Sequence, residues 1–158
     1  MAIPDFVLEL RAQVGTIPLW LSGVTAVIVH PATGELLLIR RSDSGEWAPV
    51  TGIIDPGEQP AVAAAREALE EAGVRVRIDR LARVGVTGEL RYENGDRARY
   101  LDLTFLGTWE SGDPHPTDGE ALEVAWFAPD ALPPLSADFT ERITAALSGE
   151  LAARFETR

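Results

Sequence analysis

The chain has 158 residues, 46% of them hydrophobic, and a formal net charge of −11. That is long enough for one domain with a sizeable core, and the charge has the wrong sign for gripping nucleic acid or an acidic membrane surface. Cysteine is absent and all 14 cationic residues are arginine, which excludes disulfides, thiolate catalysis, cysteine-bound zinc, a P-loop lysine and a lysine Schiff base.

The two histidines, His30 and His115, are too few for a histidine-rich metal site, so oxygen-ligated metals are the ones left open. The start, Met1-Ala2-Ile3-Pro4-Asp5, lacks a basic head and apolar run, and no apolar stretch has the length of a bilayer span. The expectation is a cytoplasmic protein with no membrane partner.

Phe6, Val7, Leu10 and Val14 recur at helical spacing and Gly15 can close the segment, which predicts an N-terminal helix over about 3–15. Residues 17–30 are apolar and rich in β-formers, Pro31 to Gly34 reads as a turn, and 35–41 returns as a second strand. A polar loop covers 42–46, and Trp47 to Ile54 forms the next apolar segment. Asp55-Pro56-Gly57-Glu58 is a tight turn, with proline presetting its second position and glycine admitting positive φ at its third. Pro60 then suits the first turn of a helix.

On that helix Glu67, Glu70 and Glu71 project together, opposite an expected apolar stripe of Val62, Ala65, Leu69 and Ala72. Like charges at this spacing repel by a few tenths of a kcal/mol per pair. A purely structural helix gains nothing from that crowding, whereas a hard divalent cation such as Mg²⁺ would relieve it through carboxylate oxygens while keeping positions for water and phosphate. Bridging by such an ion also reconciles an acidic chain with a phosphorylated substrate.

Beyond the helix, Val74, Val76 and Ile78 alternate with polar residues as in a half-buried strand. Glu93-Asn94-Gly95-Asp96 carries the Asn-Gly dipeptide of a hairpin turn before Leu101, Leu103 and Phe105. A third alternation runs through Leu122, Val124 and Trp126, and Ser136 can cap a C-terminal helix over about 136–155 through Phe139, Ile143 and Leu147.

Gly52, Glu58, Arg66, Glu67, Glu70, Glu71, Gly73 and the aliphatic residues between them form one spaced pattern. It runs glycine, five residues, glutamate, seven residues, then Arg-Glu-aliphatic-any-Glu-Glu-any-Gly-aliphatic, and it resembles the complete signature of the Nudix hydrolase family. Thr51 stands where the family usually has the first of two glycines. The resemblance implies an α/β class fold, an α/β/α sandwich with a mixed sheet, spanning residues 1–158 as one domain.

It also implies hydrolysis of a diphosphate linkage in a nucleoside diphosphate joined to another group: a nucleoside triphosphate, a nucleotide sugar or a dinucleotide. Mg²⁺ or Mn²⁺ would be held by the Gly52 carbonyl with Glu67, Glu70 and Glu71, and Arg66 would orient its glutamate. The general base is expected at Glu67 or at an acid from a later loop. Glu120, after the loop from Gly112 to Gly119, is the candidate there, with Glu123 the alternative.

Trp47 and Tyr92 are candidates to stack on a nucleobase, although Trp47 immediately precedes an apolar strand and so reads first as core, and Tyr92, which lies where some diadenosine polyphosphate hydrolases of the family carry a tyrosine, also reads as an ordinary hairpin residue. Arg40, together with Arg41, Arg91, Arg97 and Arg99, is a candidate phosphate clamp. The proline of many ADP-ribose hydrolases is absent, with Glu89 and Leu90 in its place. The partner is expected to be a small nucleotide-type molecule rather than nucleic acid, and a homodimer is a family-level expectation. The alternative is a Nudix domain that has kept ligand binding as a sensor and lost catalysis; the isoprenoid diphosphate isomerase branch is disfavoured for want of its cysteine.

Overall fold

A computed structural model describes residues 3–92, 94–117 and 119–157. Helix α1 (Asp5–Val14) is followed by β1 (Leu19–Val29), β2 (Leu36–Arg41), β3 (Trp47–Ala48) and β4 (Val50–Ile53). Then come α2 (Pro60–Ala72), β5 (Arg75–Val86), β6 (Leu90–Arg91), β7 (Arg97–Ser111), β8 (Ala121–Phe127) and α3 (Ala137–Leu147).

The eight strands make one mixed sheet with order β3-β2-β1-β7-β5, β4 joining β1, β6 joining β7 and β8 joining β2. β1 and β7 run parallel from Leu19↔Ala98 to Val29↔Thr108, and β4 lies antiparallel along the other edge of β1, with Val24 opposite Gly52. A parallel neighbour buries both faces of a strand, and β1 carries an unbroken buried run from Gly23 to Ile28. Even-numbered residues Val24, Ala26 and Ile28 pack with α2 in one cluster. Val27, Leu36 and Leu38 pack with Ile143 and Ala146 of α3 in a second. Helices on both faces make this an α/β/α sandwich.

α1 contributes Val7 to a third cluster with Leu21, Ile53, Ala98 and Tyr100, while Leu10 and Val14 of its expected stripe remain exposed. α2 departs further from its expected face. Val62 and Leu69 are 58% and 41% exposed, and the buried positions are Ala63, Ala64, Glu67, Ala68, Glu71 and Ala72. Alanines let the helix axis approach the sheet closely, so the acidic side that amphipathicity places outward is turned in against β4.

Asp55 to Glu58 forms the expected turn, with Gly57 at φ 87° and the Glu58 N–H donating to the Asp55 carbonyl at 2.9 Å. Leu122 is 58% exposed rather than inward, because a bulge between β2 and β8 sets Arg40 opposite Glu123 and Arg41 opposite Ala121. The Asn94-Gly95 hairpin joins β6 to β7, although its Glu93 lies outside the described residues, as does Asp118 of the later loop. Ser136 caps α3 by accepting from the Phe139 N–H. The helix stops at Leu147 rather than near 155, and the segment after it pairs with β5, Arg154 N–H donating to Ala82 and Val84 N–H to Arg154, each at 2.9 Å. Among the described residues no helix is long and apolar enough to cross a membrane.

Candidate functional site

β4 and α2 face each other across the turn at 55–58, and Gly52 sits where they meet. A Cβ on Gly52 would lie 2.0 Å from Cδ of Glu67 and 2.1 Å from its Oε1. The glycine is needed for this space and not for its backbone freedom, since its φ is not positive. Thr51 lies in regular strand opposite Thr25, and no non-glycine residue among those described has positive φ, so β4 does without the glycine usual there.

Arg66 organises the carboxylates. Its Nε and Nη2 donate to the two oxygens of Glu58 at 2.9 Å each, Nη1 donates to Glu67 Oε1 and to Glu70 Oε2, both at 2.9 Å, and Nη2 also reaches the Ile53 carbonyl at 3.1 Å. Every N–H of its donor fork is thereby used. The forked pair with Glu58 is the largest reason that the Arg66 pKa is raised and that Glu58 is lowered. The pairing with Glu70 coexists with the others, so Arg66 ties the turn, β4 and two turns of α2 into one unit.

Glu67 and Glu71 are 7% and 3% exposed, and Oε2 of Glu71 has no hydrogen-bond partner. Burial pushes Glu67 up to about 7 against the pull of Arg66. Burial, then the charges of Glu67 and Glu120, pushes Glu71 up to about 8. Two buried carboxylates with so little compensation are expensive to ionise, and the hard oxygen donors they present suit a divalent cation. Among the described residues no three acidic or imidazole groups already converge into a closed ligand shell. Arg66 stands between Glu67 and Glu70, and Glu70 is on the exposed side.

Glu120 sits at the end of the loop before β8, its carbonyl accepting from the Ser42 N–H at 2.8 Å, close enough for its charge to act on both Glu67 and Glu71. The structure thus brings Gly52, Arg66, Glu67, Glu70, Glu71 and Glu120 to one place. A cavity of about 530 Å³ opens beside it, lined among others by Thr51, Gly52, Arg41, Tyr92, Tyr100 and Asp138.

Tyr92 lies on this cavity, its hydroxyl 2.8 Å from that of Tyr100. Arg40 and Trp47 do not. Trp47 packs edge-on against Phe127 at 4.8 Å in the α3-side core, and Arg40 is exposed, with the Gly45 carbonyl 3.2 Å and Glu123 3.9 Å away. One residue along β2, Arg41 turns to the other side of the strand and lines the cavity, paired to Asp43 at 2.6 Å, with its charge felt at Glu71.

A buried ion-paired group with no local signature in the chain lies at the cavity floor. Arg142 Nη1 donates to Asp102 at 2.9 Å and to Thr25 at 2.6 Å, Thr104 donates to the other Asp102 oxygen at 2.7 Å, and Nη2 pairs with Asp138. Sequence alternation sets Asp102 on the face of β7 opposite Leu101, Leu103 and Phe105, which reads as the polar face, and only the packing of that face buries Asp102 between Tyr100 and Thr104.

The profile of the NUDIX domain matches residues 20–147. A MutT-like protein of Streptomyces ambofaciens is 35% identical over 133 residues, covering 84% of this chain and 80% of that protein. The NAD-capped RNA hydrolase NudC of Chromobacterium violaceum is 32% identical over 70% of this chain, which spans only 40% of NudC. Among solved structures, the MutT NUDIX hydrolase from Burkholderia pseudomallei superposes with a TM-score of 0.64 at 27% identity, over 80% of this chain and 98% of that one. Domain match, relatives and fold agree with the geometry built from Gly52 to Glu71: this chain belongs to the Nudix family and is one of its pyrophosphohydrolases.

Proposed function

We propose that the protein hydrolyses the diphosphate linkage of a small nucleotide derivative, using Mg²⁺ or Mn²⁺ held by the Gly52 carbonyl and the carboxylates of Glu67, Glu70 and Glu71. The observation that carries this reading is the buried pair Glu67 and Glu71, side by side on the inward face of α2 with an oxygen of Glu71 left without a partner. Nudix hydrolases generally use divalent ions, and an ion bound here would offset the acidic field, polarise phosphate oxygens and make a bound water easier to deprotonate.

The chain's own groups divide the remaining work. Arg66 holds Glu67 and Glu70 in place through its donors, so binding requires Glu70 to turn from Arg66 toward the ion. Glu120 is the leading general base, because it lies within electrostatic reach of Glu67 and Glu71 yet belongs to a different element. Glu67, held in place by Arg66, is the other candidate to take the proton. Arg41 lies between Glu71 and the cavity, where it can offset phosphate charge. Tyr92 and Tyr100 provide an aromatic wall for a nucleoside. The net charge of −11 favours a small nucleotide over RNA, and a cytoplasmic location fits such a substrate.

The test is phosphate release with Mg²⁺ and Mn²⁺ from deoxynucleoside triphosphates, nucleotide sugars, ADP-ribose, dinucleoside polyphosphates and NAD-capped RNA. At least one is cleaved by the wild type, and Glu70→Gln or Glu71→Gln lowers the rate by about 10²-fold or more with folding intact, the scale expected when reacting groups are misplaced. Full activity in both variants would overturn the metal assignment.

A further inference from the structure

The loop between β7 and β8 is fastened to the C-terminal end of α2, which is the end that carries the acidic residues. The His115 N–H donates to the Ala72 carbonyl at 3.1 Å, and the Thr117 hydroxyl donates to the Glu70 carbonyl. These are carbonyls that a helix leaves without partners in its last turn. The His115 ring itself lies on the bare face of Gly73, where a Cβ would come 2.6 Å from Cε1 and 2.8 Å from Nδ1. Its Nδ1 is 2.6 Å from the Asp113 carbonyl, so this nitrogen carries the proton and closes the ring back on its own loop.

Gly112 fits equally close from the other side, its missing side chain leaving room for the Gly73 carbonyl 2.4 Å from where a Cβ would stand, and its carbonyl accepts from Trp109 Nε1 at 3.0 Å. Gly73 is therefore doubly constrained. Its φ of 68° closes α2 in the left-handed conformation, and its lack of a side chain receives the loop. At the far end of that loop the Glu120 carbonyl takes the Ser42 N–H at 2.8 Å, beside Arg41 and within electrostatic reach of Glu67 and Glu71.

We infer that His115 is a positioning residue: seated on Gly73, it clasps the 112–120 loop to α2 so that Glu120 is held at the acidic cleft. The consequence for catalysis rests on the role given to Glu120 above; the clasp does not. Attached to α2 at His115 and Thr117 and to Ser42 at Glu120, the loop links the helix end that presents Glu70 and Glu71 to the acid that lies outside the Gly52 to Val74 pattern. Loss of the ring frees the loop without removing any group from the cleft, which is the behaviour of a supporting residue.

Five proteins test this: wild type, His115→Ala, Glu120→Gln, the double variant, and His115→Phe, which keeps a flat ring over Gly73. Amide hydrogen exchange at Ser42 reports whether the Glu120 carbonyl is still in place, and needs neither metal nor substrate. It should quicken at least about tenfold in His115→Ala and return toward the wild-type rate in His115→Phe. Unchanged protection of Ser42 in His115→Ala overturns the inference. In kinetics, His115→Ala should lower kcat on the order of tenfold with KM little changed, and should cost nothing more when Glu120 is already glutamine. An equal loss in the Glu120→Gln background would mean that His115 acts otherwise than through Glu120, and would also overturn it. If Glu120→Gln retains full activity while Ser42 still loses protection in His115→Ala, the clasp stands and the general-base role of Glu120 falls.

Discussion

Adding one carbon at Gly52 isolates the geometry on which the acidic site depends. In Gly52→Ala the new Cβ would stand 2.0 Å from Cδ of Glu67, and ordinary contact begins at 3.4 Å, so helix or strand has to yield by about 1.4 Å. Glu67 cannot simply swing aside, because its Oε1 is held by Arg66 and its surroundings are buried. The backbone at 52 accepts alanine without strain, since its φ is not positive, so the whole effect is crowding.

Overpacking of this kind costs about 1–3 kcal/mol, or a fall in Tm of roughly 2–4 °C per kcal/mol for a chain of this size. A displacement on the order of 1 Å in a catalytic group costs about 10²-fold in rate. Thermal unfolding and kcat are to be measured on the same preparation, at a temperature where the variant is fully folded. A loss of about 10²-fold in kcat with a modest fall in Tm is expected. Wild-type kcat in a folded Gly52→Ala protein would refute the claim that the position of Glu67 against β4 matters to the reaction.

Stability should respond to pH and metal together. Glu67 and Glu71, at about 7 and 8 against an ordinary 4.5, bind more protons folded than unfolded, so the stability they confer is complete below about pH 4.5 and is lost as pH rises through 7 to 8. A cation favours the ionised pair, so the gain in Tm from Mg²⁺ should be small at pH 5.5 and large at pH 8.5, and Glu71→Gln should flatten both trends; a gain that ignores pH counts against these residues as the metal's ligands. At the cavity floor, Arg142→Met should destabilise by about 3–5 kcal/mol in urea titration, because it strands Asp102, 3% exposed, as a buried carboxylate with only Thr25 and Thr104 to serve it. Adding Asp102→Asn should recover part of that loss, and no recovery would show that packing rather than charge sets the cost.

Local spacing carried much of the information. Turn residues at 55–58, Pro60 at the start of α2, Ser136 at the cap of α3 and the two-residue alternations through β5, β7 and β8 act over a few residues, so the elements were legible before any packing was known. The pattern from Gly52 to Val74 named the family and picked out the carboxylates for the same reason: an i, i+3, i+4 relation on a helix is fixed by its pitch. Helix ends and faces were less legible. α3 ends at Leu147, eight residues before the expected 155, because Gly149 turns the chain at φ 74° although the apolar Leu151 and Phe155 continue the composition of a helix.

What the sequence determined alone is the inventory: an acidic helix after a tight turn, no cysteine or lysine chemistry, and a strand-rich scaffold around it. Only tertiary structure decided that the acidic face of α2 lies inward, since alanine bulk and the absent side chain of Gly52 set how closely helix and sheet approach. The same holds for Trp47 in the core and Arg41 rather than Arg40 on the cavity, where the bulge between β2 and β8 falls. Contacts such as Arg142 with Asp102, or His115 with Gly73, join residues some 40 positions apart. No local period encodes them; they exist because folding brings separate strands, loops and helices to one surface.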